Sequence, residues 1–94
     1  MAQRALALYQ TLRDRLREAN TLSLLGSFHQ AQGNPEHAVE LYERALALYR
    51  ALRDQPREAA SLVNLATVYE AQGSPQEARE TQHKAIYLLQ QANR

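Results

Sequence analysis

Displaced by 40 residues, the sequence falls on itself. Ala5-Leu6-Ala7-Leu8-Tyr9 returns as Ala45-Leu46-Ala47-Leu48-Tyr49, and Leu12-Arg13-Asp14 returns as Leu52-Arg53-Asp54. Arg17-Glu18-Ala19 returns as Arg57-Glu58-Ala59, and Ala31-Gln32-Gly33 with Pro35 returns as Ala71-Gln72-Gly73 with Pro75. A period of this length belongs to architectures that stack one supersecondary unit on the next, because a single unit cannot bury its apolar face alone.

Each unit reads as a pair of helices. Leu62, Leu65, Ala66 and Tyr69 fall at i, i+3, i+4 and i+7, one stripe of an amphipathic helix; Leu22, Leu25, Gly26 and His29 take the same places one unit earlier. Gly33 and Gly73 suit the left-handed position that ends a helix. Asn34 and Ser74 then stand as N-caps, with Pro35 and Pro75 at the first helical position, where a missing N–H costs nothing. Ser74 and Glu77 have capping-box spacing. Ala38, Tyr42, Ala45, Tyr49 and Leu52 give the second helix its stripe, and Asp14 and Asp54 are placed to cap the helices that follow them.

The pattern predicts five helices over about 2–13, 15–32, 35–53, 55–72 and 75–92, with no strand. Residues 1–14 read as the second helix of an incomplete repeat, 15–54 as one repeat and 55–94 as another. Val39, Leu41 and Tyr42 become Arg79, Thr81 and Gln82 in the second repeat. That loss of apolar surface is what a terminal capping repeat requires, so the array is expected to end near Arg94.

Composition narrows the function. Apolar residues at 45% and charged residues at 22% fit a globular chain rather than a disordered one. With no cysteine there is no disulfide, thiolate metal site or cysteine nucleophile. Eleven basic residues interleave with ten acidic ones, so the basic stripe a nucleic-acid binder needs is not expected. No apolar run approaches the roughly 20 residues that span a bilayer, and the first residues do not show the charged segment, apolar stretch and cleavage site of a secretory signal. The expectation is a cytoplasmic protein that binds neither membrane nor nucleic acid.

These stripes resemble the tetratricopeptide repeat, and more closely its 40-residue variety found in kinesin light chains and G-protein-signalling modulators. That family places a large apolar residue, Leu, a small residue and an aromatic on the first helix. Leu62, Leu65, Ala66 and Tyr69 fill all four places, whereas His29 takes the aromatic's place after Leu22, Leu25 and Gly26. On the second helix the family wants small, aromatic, small: Ala38, Tyr42 and Ala45 comply, while Gln82 interrupts Ala78 and Ala85. The resemblance implies a right-handed α-solenoid of antiparallel hairpins, about two and a half repeats here. Gly26 and Ala66 are expected to face Ala38 and Ala78, small residues that let the helices approach closely.

The resemblance also implies a concave binding face lined by the first helix of each repeat. A helical wheel places Asn20, Ser23, Ser27 and Gln30 there, joined by Val63, Asn64, Thr67 and Glu70 from the next repeat. Asn64 precedes the Leu-small pair, where peptide-binding relatives often hold ligand backbone with an asparagine. The Lys and Arg that clamp a peptide's carboxylate in other relatives are replaced here by Ser, Thr, Asn and Val. The expected function is a protein-interaction module for an extended peptide or a helix.

The alternative is self-association, in which the exposed ends of the array join copies into an oligomer, or a place as a fragment of a larger repeat scaffold that those ends extend. Leu6, Tyr9 and Leu12 on the first helix copy residues that are sandwiched between neighbours elsewhere, so they are expected to join copies into a homo-oligomer. An enzyme is a distant third, for no nucleophile stands beside a base and no Gly-rich loop could cradle a phosphate. His29, His37 and His83 lack the spacing of a helical metal site, so neither metal nor cofactor is expected. Tyr42, Tyr49 and Tyr69 fall on packing stripes and read as core rather than a ligand cage. Glu40–Arg44 and Glu80–Lys84 are spaced to pair on solvated faces.

Overall fold

The computed structural model describes residues 2–93, the side chains of residues 2–6 and Tyr9 excepted. Four helices follow one another: α1 (Ala2–Ala31), α2 (Pro35–Ala51), α3 (Gln55–Ala71) and α4 (Pro75–Ala92), with no strand among the described residues.

Four helices rather than five is the main departure from the sequence reading. The break expected at Asp14 is absent, and the segments 2–13 and 15–32 form one helix of 30 residues. The reason lies two positions beyond Asp14. Where the second copy has Pro56, the first has Leu16. Pro56 cannot donate to the Leu52 carbonyl and its ring would clash with that carbonyl, so an unbroken helix would cost about 3 kcal/mol there. Leu16 carries a normal N–H, and α1 runs through.

At the two glycine turns the expectation holds: Gly33 and Gly73 have φ of 78° and 80°. In each, the residue after the glycine donates its N–H five residues back, Asn34 to the His29 carbonyl and Ser74 to the Tyr69 carbonyl, both at 2.8 Å. The α2–α3 turn does the same with Arg53 in the left-handed conformation at φ 56°, and Asp54 N–H reaches the Tyr49 carbonyl at 3.0 Å. A non-glycine residue pays for that conformation in steric strain.

The caps divide differently from the expectation. Asp54 does cap α3, accepting the Arg57 N–H at 3.2 Å and pairing with its guanidinium at 2.7 Å. That hydrogen bond and the Asp54 charge raise the Arg57 pKa above its ordinary value. Asn34 and Ser74 occupy the cap positions of α2 and α4 but make no side-chain cap bond, so the Ser74–Glu77 capping box does not form. Their carbonyls accept from the Ala38 and Ala78 N–H groups, both at 3.1 Å.

Each helix packs on its sequence neighbour, the pattern of stacked antiparallel hairpins. Ala19 and Leu22 of α1 meet Ala45 and Tyr49 of α2, with Leu16, Leu41 and Leu48 at the margin. The second cluster joins Tyr42 and Leu46 of α2 to Ala59, Leu62, Leu65 and Val68 of α3 and Ala85 of α4. Gly26 faces the Tyr42 ring. Arg50 of α2 reaches Glu58 of α3 at 2.9 Å. Among the described residues, this pair and Asp54–Arg57 are the ion pairs formed, not the expected Glu40–Arg44 and Glu80–Lys84. Outside the packing, α1 overreaches its mate: 30 residues span about 45 Å against about 25 Å for the 17 of α2.

Candidate functional site

The residues assigned to a binding strip come from α1 and α3, and the structure separates them by what they already hold. Asn20 accepts a hydrogen bond from the Tyr49 hydroxyl through Oδ1. The Tyr42 hydroxyl stands 2.8 Å from the Ser27 hydroxyl and donates to Gln30 Oε1 at 3.3 Å. Tyr42 and Tyr49 are buried at 1% and 4% exposure, and a tyrosine buried so deeply needs a partner for its hydroxyl. Three of the four α1 candidates are therefore engaged in satisfying the core. The fourth, Ser23, is half-buried. The sequence reading missed these bonds, although the recurrence of tyrosines opposite polar residues was the available signal.

On α3 the strip is open. Val63 is 47% exposed, Thr67 and Glu70 are exposed, and Asn64 is half-buried. Thr67 turns its hydroxyl back to the Val63 carbonyl at 3.0 Å. Among the described residues the Asn64 amide makes no intramolecular hydrogen bond, so it keeps both a donor and an acceptor for a ligand. The aromatic of this helix, Tyr69, is half-buried and donates to Glu43 Oε1 at 3.5 Å. Burial first, then the charges of Glu43 and Glu77, raise its pKa.

The self-association residues lie at the other end of α1. Leu6 and Tyr9 have side chains outside the described residues; Leu12 is 40% exposed. With Arg13 and Leu16 it faces Leu52 and Asp54 across a shallow cavity of about 420 Å³ between α1 and the α2–α3 turn.

Of the histidines, His29 and His37 come together with ring centroids 5.3 Å apart, His83 is exposed, and the buried His29 Nδ1 has no partner among the described residues. Among the described residues no group of three His, Asp or Glu is placed to hold a metal ion. No described helix is long and apolar enough to cross a membrane.

A tetratricopeptide repeat profile matches residues 1–51 and, in a second overlapping placement, residues 17–92. No curated protein and no solved structure matches the chain.

Proposed function

Because the chain belongs to the tetratricopeptide repeat family, a family of helical protein-interaction modules, we propose that it binds an extended peptide or a helix of a partner protein along the strip on α3. The observation that carries this reading is the state of Asn64: half-buried, between an exposed Val63 and the Leu65–Ala66 core pair, with its amide uncommitted among the described residues. A peptide lying along α3 exchanges backbone N–H and C=O with that amide and rests an apolar side chain on Val63. Ser23 and Glu70 border the strip and select polar or basic neighbours in the ligand.

The α1 residues Asn20, Ser27 and Gln30 shape the groove rather than grip the ligand, because each is tied to a core tyrosine. The 40-residue period supports the kinesin-light-chain type of repeat within the family, and the absence of Lys and Arg from the strip argues against a carboxylate clamp. A cytoplasmic partner fits a cysteine-free chain.

The test uses peptides selected on the 94-residue chain from a random display library. Asn64→Ala is expected to weaken the selected peptides by about 10-fold or more, the worth of a hydrogen-bonded contact in a partly desolvated site. Ser27→Ala is expected to leave affinity within about twofold. Equal losses from the two variants would contradict the assignment.

A further inference from the structure

Equivalent residues of the two repeats part company along one stripe. On α3, Glu58, Ser61, Leu65 and Val68 are buried, at 9%, 1%, 3% and 0% exposure. Their counterparts on α1 are Glu18, Thr21, Leu25 and Phe28, all exposed, Leu25 at 44% and Phe28 at 56%. The difference has a structural cause. The stripe on α3 is covered by α2, the helix that precedes it and folds back at Arg53–Asp54. The segment that precedes residues 15–31 is fused to them in one continuous helix and cannot fold back.

The chain carries its own template for what covers such a stripe. Residues 44–54, whose Leu46 and Arg50 meet α3, differ from residues 4–14 only in having Arg50 for Gln10 and Ala51 for Thr11. A second copy of the chain offers the segment 2–13 in the orientation its own α1 denies it.

We propose that two copies pair their α1 helices antiparallel about a twofold axis, the segment 2–13 of each lying on the Glu18–Leu25 stripe of the other. Register follows from the template. Arg50 meets Glu58 at 2.9 Å; moved back one repeat, the same contact joins Gln10 of one copy to Glu18 of the other. Asp14 lies midway between those positions and falls on the axis, among the arginines at 13 and 17. Thr21 and Leu25 gain the cover that Ser61 and Leu65 have within the chain. The surface is isologous, as a twofold pair requires. It is independent of the peptide strip, which lies on α3 and a different flank of α1.

Light scattering over a concentration series on the 94-residue chain reads the pairing directly. The mass is expected to climb from the 10.7 kDa of one chain toward twice that value. Thr21→Arg and Leu25→Glu, changes at exposed positions of the single chain, are expected to hold the mass at one chain with helicity unchanged; Tyr87→Ser, at a 61% exposed position on α4, leaves the pair intact. Leu16→Pro restores the proline of the second copy, so the segment 2–13 folds back on its own stripe and the chain becomes a monomer of undiminished helicity. The chain has no cysteine, so Asp14→Cys puts a single thiol on the axis, and copper(II)–phenanthroline is expected to cross-link it into a dimer where Tyr87→Cys stays single. A wild-type mass of one chain throughout the series overturns the proposal. So does a dimer that ignores Thr21→Arg and Leu25→Glu, a Leu16→Pro chain that still pairs, or Asp14→Cys that cross-links no better than Tyr87→Cys.

Discussion

A Cβ built on Gly26 would stand 2.8 Å from Cε1 and 2.9 Å from Cδ1 of Tyr42. The missing side chain on α1 is thus the space that the tyrosine ring on α2 occupies. Gly26→Ala gains about 1 kcal/mol of helix propensity but drives a methyl into a ring that is 1% exposed and has nowhere to go. Overpacking of about 1–3 kcal/mol wins. Urea unfolding is expected to show a net loss of roughly 1 kcal/mol for Gly26→Ala, against the rule that alanine stabilises helices.

Ala66 and Ala78 set the same limit one repeat later, buried at 0% and 4%. Leucine at either position is expected to cost about 1–3 kcal/mol by overpacking. Ser23→Ala and Thr67→Ala, at the rim of the strip, are expected to stay within about 0.5 kcal/mol. Thermal melts separate the two classes; an unchanged melting point for Ala66→Leu would mean that the helices face each other differently.

The α2–α3 turn is held by an aspartate and strained by an arginine. Asp54→Ala removes the one cap side-chain bond seen among α2, α3 and α4, and a loss of about 1 kcal/mol is expected. Asn34→Ala and Ser74→Ala, which lose no such bond, are expected to cost less. Arg53→Gly relieves a left-handed residue and is expected to raise stability by about 0.5–1 kcal/mol. Denaturant midpoints of the four variants check the order.

Alkaline pH acts through Tyr69. Its hydroxyl is held above the ordinary tyrosine range by burial and by the charges of Glu43 and Glu77. The folded chain therefore keeps this proton to higher pH than the unfolded chain does. The resulting stability is present in full below the unfolded tyrosine pKa of about 10 and is lost as pH rises through the folded value. Tyr69→Phe is expected to lose less stability than the wild type between neutral pH and about pH 11, as read from urea midpoints at the two pH values.

How much of this was legible in advance differs from helix to helix. Leu62, Leu65, Ala66 and Tyr69 repeat at 3.6-residue spacing, and Gly33 and Gly73 mark turns that a left-handed φ demands; hence α2, α3 and α4 lie close to where the pattern puts them. α1 does not, because similarity between copies carried the break at Asp54 over to Asp14. The break depends less on the aspartate than on Pro56, and that residue is not repeated. The candidate strip was readable as a face but not as a set of free groups. Whether Asn20 or Ser27 is available depends on where the Tyr49 and Tyr42 hydroxyls end, and that is set by packing between helices, which no spacing along one helix encodes. The exposure of Leu25 is of the same kind: its repeat position reads as core, and only the missing cover makes it surface.

In the proposed function, α3 is the face that meets a partner. Backbone amide shifts of the ¹⁵N-labelled chain, followed during titration with a display-selected peptide, test this most directly. The predicted result is a continuous set of perturbations at Val63, Asn64, Thr67 and Glu70, with α4 silent. Perturbations gathered instead at Ile86, Tyr87 and Leu89, the exposed apolar side chains of α4, would contradict it.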